Sequence, residues 1–401
     1  MAHTAKPIPG TTLFDGHQAQ KGYALNKMCY SFNSADNRNT FKADEEAYMT
    51  AYGLNEQQAT AIRTRNVLGL ITAGQCVLLG QICRHFGARC ARPGCRTNRH
   101  DQRRIQSQAA CCSVPINIPE NITMAHIVGG LASSHIPSIG GAIAKGIQQD
   151  AYWKPFFDGF PPIHQWLGKK KVDVAVVFYN DHGLNFFLDK MPTFAIGAAA
   201  QYNNADEGWG IPTLPPFKGC PDLSWHIINE LVEKEFDVVT CQEMLVDHAF
   251  TLPLKLFWPD DVCPVMTVPI CINTVQFPLP SAKRCYKLGQ AVGEAIRSWD
   301  SNLNVAVLGT GGLSHQLDGE RAGHINKQFD LAFMDSLQQN PEWATQYSIH
   351  ELVEKTGTQG VELVMWLAMR GALGDQVTPV HQNYHIPISN TATGVMALEA
   401  V

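Results

Sequence analysis

V-D-V-A-V-V-F-Y-N-D-H, residues 172–182, carries the clearest fold signal in the chain. A run of β-branched and aromatic residues, broken only by Asp173, ends abruptly at Asn180, Asp181 and His182. A strand buried on both faces reads this way, as a near-continuous apolar run bounded by a turn signal. The same texture recurs in F-D-V-V-T-C (236–241), C-P-V-M-T-V-P-I (263–270) and N-V-A-V-L-G-T (304–310). Helical stretches lie between them, such as L-S-W-H-I-I-N-E-L-V-E-K (223–234) and R-C-Y-K-L-G-Q-A-V-G-E-A-I-R-S-W (284–299). Alternating strands and helices predict an α/β domain over residues 124–401, a mostly buried sheet with helices on both faces. In such sheets the working residues gather beyond the carboxyl ends of the strands, where His182 stands.

Residues 1–74 have a different texture. K-A-D-E-E-A-Y-M-T-A-Y-G-L has apolar positions at helical spacing and stops at Gly53, and Asn55 is placed to cap the next helix. This predicts a small all-helical domain. Residues 75–123 read as an irregular linker: residues 83–104 hold seven arginines and no apolar period. Six of the twelve cysteines fall between Cys76 and Cys112. A zinc knuckle from Cys90, Cys95 and His100 fits no strong spacing template. The other six cysteines are scattered in apolar runs and read as small buried hydrophobes.

The chain has 401 residues, 45% of them hydrophobic and 17% charged, which indicates globular domains. A net charge of −5 gives no basic footprint for nucleic acid. No run is long and apolar enough for a membrane span, and the first ten residues have no signal-peptide core. The expectation is a cytoplasmic protein with reduced cysteines.

Three residues read as one iron site: His135 in L-A-S-S-H-I-P-S, His182, and Glu362 in G-V-E-L-V-M-W-L-A-M-R-G-A-L. Two imidazoles and a carboxylate with open coordination positions are the ligand set of non-haem Fe(II) oxygenases. Glu362 sits in an otherwise apolar helical pattern, where a buried carboxylate needs a partner. A metal is one such partner, and an ion pair with Arg370 is another. His248, in L-V-D-H-A-F, and His315, in G-T-G-G-L-S-H-Q-L, stand where a proton donor and a base would serve. Gly309, Gly311 and Gly312 match no phosphate-loop fingerprint and read as a tight turn that aims His315 inward. Asp181 and Asp247 are candidates for supporting the neighbouring histidines or for turn formation.

Residues 124–401 resemble the β subunit of protocatechuate 4,5-dioxygenases, class III extradiol ring-cleaving enzymes. The matching blocks are S-S-H-I-P-S, Y-N-D-H, T-F-A-I-G, A-D-E-G-W-G, V-D-H, G-T-G-G-L-S-H-Q-L, G-V-E-L-V-M-W-L-A-M-R-G-A-L and Y-H-I-P-I-S-N-T. Residues 7–74 resemble the helical α subunit, through I-P-G-T-T-L-F, K-G-Y-A-L-N-K-M and F-K-A-D-E-E-A-Y-M. The two subunits would thus be fused in one chain. The resemblance implies Fe(II) held by His135, His182 and Glu362, with His315 as catalytic acid/base and His248 as a second active-site histidine. It places Ser389 and Asn390 near the substrate's carboxylate. The implied reaction is extradiol cleavage of protocatechuate with O₂ to 4-carboxy-2-hydroxymuconate semialdehyde. Gallate or a related catechol carboxylate is the alternative substrate, and a redox-silent metal-binding relative is the alternative of another class. The implied partners are a small catechol carboxylate and O₂, with assembly as a homo-oligomer of fused chains or as α/β pairs.

The α likeness stops at Gly74. Reverse translation read one base later permits the family's G-N-V-Y-Y-L and E-Q-T-G-M-T words beyond that point. Residues 75 to about 112 therefore read as an out-of-frame translation of an α gene, with Met124 as the original β start.

Overall fold

The computed structural model describes residues 16–74, 124–207, 211 and 213–401. The chain divides into two compact units, the boundary falling between Asn121 and Ile122. The linker expected over residues 75–123, with its six cysteines and its shifted-frame reading, lies outside the described residues.

In the larger unit the strands are β1 (His126–Ser133), β2 (Val174–Tyr179), β3 (Phe194–Gly197), β4 (Gln201–Asn204), β5 (Phe217–Lys218) and β6 (Val239–Cys241). They continue with β7 (Leu245–Val246), β8 (Met266–Ile272), β9 (Asn304–Thr310), β10 (Val377–Ile388) and β11 (Thr391–Ala400). Eight of them form one sheet in the order β10-β11-β1-β9-β2-β8-β3-β6. The centre, β1-β9-β2-β8, is parallel throughout. Three of these, β2, β8 and β9, are apolar runs singled out in the sequence, and every residue of β2 is buried; the fourth such run, 236–241, yields only the edge strand β6, with two of its three residues exposed. A parallel sheet needs cover on both faces, and this one has it. Successive residues on a strand face opposite ways. A Cβ added at Gly129 would meet Trp166 of helix Pro161–Lys170, whereas one at Gly130 would meet Met369 and Leu373. The expected α/β architecture is therefore present.

The β10-β11 hairpin was not anticipated. Its two-residue turn is Ser389-Asn390, both at positive φ (47° and 60°), which suits the twist of a tight hairpin. The helix expected to contain Glu362 is also modified. Gly360–Glu362 forms a 3-10 turn, and the α-helix runs from Leu363 to Ala372. Glu362 thus occupies the mouth of that helix. The ion pair with Arg370 is not formed. Arg370 is buried, but it donates to the carbonyls of Leu337 (2.6 Å), Gly374 (2.6 Å) and Asp375 (3.1 Å). It lies two turns along the helix, too far round and too well satisfied to serve Glu362.

In the smaller unit the described residues form six short helices between Gly16 and Thr72, around a core of Leu25, Met28, Phe32, Phe41, Tyr48 and Ile62. Asn55 caps Glu56–Arg63 in a reciprocal arrangement with Gln58, and Gly53 takes a left-handed φ of 69°, as the sequence pattern predicts. The six cysteines of the described residues are all free, five of them buried.

Candidate active site

The carboxyl ends of β1, β9 and β2 lie side by side, and each is followed by a histidine. His135 comes two residues after β1, His182 follows β2 across Asn180 and Asp181, and His315 follows β9. The turn between β9 and His315 passes close under Glu362. Gly311 has φ 137°, and a Cβ there would come within 2.8 Å of the Glu362 Cβ. The Gly312 amide donates to Glu362 Oε2 at 2.9 Å. Trp366, fully buried, donates its indole N–H to the Gly311 carbonyl at 3.1 Å and pins the same turn. The glycines therefore serve close approach, as expected, and not phosphate binding.

Glu362 is the centre of the cluster. Its Oε2 lies 3.4 Å from His135 Nε2 and 3.8 Å from His315 Nε2, and its Oε1 lies 3.8 Å from His182 Nε2. Asn180 Nδ2 donates to Oε1 at 3.3 Å. Burial would push this carboxyl up, but the facing histidines, His135 foremost, hold it well below the usual carboxylate range. His135 is itself pushed down by burial, against the pull of Glu362. His182 is also disfavoured as a cation by burial, yet Asp247 and Glu362 outweigh this and raise it to about 10. The carboxylates thus demand positive charge at the point where the Nε2 atoms converge.

A divalent metal satisfies that demand. His182 Nδ1 lies 2.8 Å from Asp247 Oδ2, and the same oxygen accepts the His182 backbone N–H at 2.9 Å. Holding Nδ1–H leaves the Nε2 lone pair for a metal, the usual role of a supporting carboxylate. His135 Nδ1 has Thr310 Oγ1 at 3.3 Å for the same purpose. Asn180, beside the cluster, carries a buried Oδ1 with no hydrogen-bond partner. The donor chemistry fits, with Glu362 meeting His135 through one carboxylate oxygen and His182 through the other. Ring nitrogens of His135, His182 and His248 lie within 4.8 Å of one another, so His248 competes with Glu362 for the third position.

His248 opens helix His248–Phe257 and stacks on His182, with ring centroids 4.2 Å apart. Glu207, absent from the sequence reading as a site residue, grips it. One carboxylate oxygen accepts the His248 backbone N–H at 2.7 Å, and the other pairs with its Nδ1. The only sequence signal was its place in A-D-E-G-W-G. Asp247 meanwhile takes the supporting role toward His182 and also caps the helix through Ala249 N–H. Asp181 takes the turn role, accepting the backbone N–H groups of residues 183–186. His315 Nδ1 lies 2.8 Å from the Leu313 carbonyl, which suits Nδ1–H as the donor and turns Nε2 toward the cluster.

These groups line a cavity of about 1130 Å³. Its wall includes His135, His182, His248, His315 and Glu362, and it also includes Ser389. Asn390 is not part of the wall, and its side-chain oxygen lies toward Gly323 instead. The hairpin turn explains the split, because its two central residues diverge. Among the described residues, no helix is long and apolar enough to cross a membrane.

Comparison with known proteins places this geometry in context. The family described as "Catalytic LigB subunit of aromatic ring-opening dioxygenase" matches residues 129–396. The family described as "Aromatic-ring-opening dioxygenase LigAB, LigA subunit" matches residues 25–88. The second match runs past Gly74, so the α likeness does not stop there. A gallate dioxygenase from Pseudomonas putida is 41% identical over 196 residues, 49% of this chain and 57% of that protein. A 2,3-dihydroxyphenylpropionate/2,3-dihydroxicinnamic acid 1,2-dioxygenase from Photorhabdus laumondii is 34% identical over 198 residues, 49% of this chain and 58% of that one. Its Azotobacter vinelandii namesake is 28% identical over 274 residues, 57% of this chain and 85% of the relative. The chain spans a little over half the length of the first two relatives. With the LigB match covering more than half of its residues, the chain belongs to the family of catalytic LigB subunits of aromatic ring-opening dioxygenases.

Proposed function

We propose that this protein is an Fe(II)-dependent extradiol dioxygenase acting on catechol carboxylates. The observation that carries the reading is the convergence of His135, His182 and the buried, ionised Glu362 at one end of a cavity, beside two further histidines. His135, His182 and Glu362 would hold the iron, leaving positions open for a diol and O₂. When bound, Fe(II) lowers the pKa of the catechol hydroxyls and couples the electrons of the ring to O₂.

The protein's own groups handle the protons. His315, with Nδ1–H suited to the Leu313 carbonyl, turns Nε2 toward the cluster, and it accepts the proton of a substrate hydroxyl. General-base assistance of this kind contributes roughly 10²–10⁴-fold. His248, steadied by Glu207, keeps its other ring nitrogen for the reacting oxygen atoms. Ile136, Trp153, Val275 and Phe277 give the aromatic ring an apolar wall. The carbon–carbon bond beside the diol breaks, and both atoms of O₂ enter the product. From protocatechuate this is 4-carboxy-2-hydroxymuconate semialdehyde. The similarity to a gallate dioxygenase supports gallate as the second substrate to test.

Anaerobic loading with Fe(II), then oxygen uptake with protocatechuate and gallate side by side, tests the reading. Stoichiometric uptake with either is expected. Tight iron binding with no uptake from any catechol would instead identify a redox-silent metal-binding relative.

A further inference from the structure

We propose that Lys145 is the carboxylate-recognition group of this cavity, and that it orients the substrate with its diol toward the histidine cluster. The inference rests on the dioxygenase reading and deepens it. A catechol carboxylate has two anionic ends once its diol loses a proton. A metal held by the histidine cluster attracts either end, so the cluster alone does not choose between diol-first and carboxylate-first entry. A fixed positive charge at the opposite end decides the orientation.

Lys145 is the only lysine or arginine among the described residues of the cavity wall. Its carboxylates, Glu207 and Glu362, are already engaged with the histidines. Lys145 is exposed, and among the described residues nothing pairs with its ammonium group. Its position follows from one helix. Pro137–Lys145 begins two residues after His135 and ends at Lys145. At 1.5 Å per residue, the helix carries Lys145 about 12 Å along its axis from the histidine end. The flexible four-carbon stem allows the ammonium to turn back over the ring-binding space. At the helix end the backbone N–H groups of Gly146 and Ile147 bond the carbonyls of Ala142 and Ile143, and among the described residues no hydrogen bond ties the Lys145 ammonium to that end.

Two hydroxyls line the same cavity as Lys145. Ser138, on the first turn of the same helix, and Ser389 both line the cavity, with their Oγ atoms 3.1 Å apart. Ser389 is held at φ 47°, a left-handed conformation that costs a non-glycine residue energy. Its backbone N–H is anchored by the Tyr152 hydroxyl at 3.2 Å. A carboxylate there accepts from neutral hydroxyls and from one cation, the stronger partner.

The test is anaerobic equilibrium binding to the Fe(II)-loaded protein, using 3,4-dihydroxybenzoate and its neutral twin 3,4-dihydroxybenzamide. The wild type should prefer the benzoate. Lys145→Met should weaken benzoate binding about tenfold while moving benzamide by less than about twofold, and Lys145→Arg should restore the preference. Equal weakening of both ligands would show a general structural role and overturn the proposal, as would unchanged benzoate binding. A wild type that binds both ligands equally overturns the subsite alone. A wild type that binds neither overturns the dioxygenase reading beneath it.

Discussion

Glu207 offers the sharpest test of how this site is assembled. Its carboxylate holds two buried donors of one residue, the backbone N–H and the Nδ1–H of His248. Both side chains are nearly inaccessible, at 5% and 7% exposed, so water does not readily replace a lost partner. Glu207→Ala strands both donors. Each unpaired buried donor costs about 1–3 kcal/mol, so two cost roughly 2–6 kcal/mol of stability. For a unit of this size, that corresponds to a Tm lower by roughly 3–10 °C. Glu207→Gln keeps one acceptor and should lose less than half as much. His248 also loses its fixed tautomer in the alanine variant, so kcat should fall more than KM rises. Calorimetry and steady-state kinetics on the iron-loaded variants measure both effects. If Glu207→Ala melts within a degree of the wild type, or if Glu207→Gln is the more damaging change, the two-donor account is refuted.

Three further outcomes are expected. Glu362→Gln should lose iron and keep its fold, while His248→Gln should retain iron; metal analysis after desalting checks this, and the opposite pattern would assign the third ligand to His248. His315→Phe should keep iron yet lose roughly 10²–10⁴-fold in ring cleavage, because proton transfer is removed and no ligand is; single-turnover kinetics reads the loss, and iron loss in this variant would exchange its role with a ligand's. Sequencing the encoding DNA should reveal the α-subunit words in the alternative frame beyond Ala88, where the family match ends, to about residue 112, and their absence there would end the shifted-frame reading.

The carboxylate inventory explains why this site is built from pairs. Three acidic side chains with little access to water, Glu207, Asp247 and Glu362, are packed among four histidines, of which His182 stays partly exposed. A buried charge survives only when paired and hydrogen-bonded. Asp247 and Glu207 meet that condition with a backbone N–H and a ring Nδ1 each. Glu362 has the Gly312 amide and the Asn180 amide, and its oxygens face three histidine Nε2 atoms besides. It is the carboxylate left for a metal.

By itself, the sequence determined what is local. The strands β2 and β9 were legible because burial on both faces writes an apolar run into consecutive residues. The Asn55 cap and the Gly53 stop were legible because helix ends have residue requirements a few positions wide. His135, His182 and His315 stood out because each follows such a strand. Tertiary structure decided what is non-local. Glu207 and His248 are 41 residues apart, and nothing in either segment specifies the other. Ser389 and Asn390 are neighbours in sequence, yet a hairpin turn sends one to the cavity wall and the other toward Gly323. Arg370 shares an apolar helical stretch with Glu362, but it stands two turns away and three carbonyls hold it instead. Periodicity reports which face of an element is buried; which partner it meets there depends on how the sheet orders its strands.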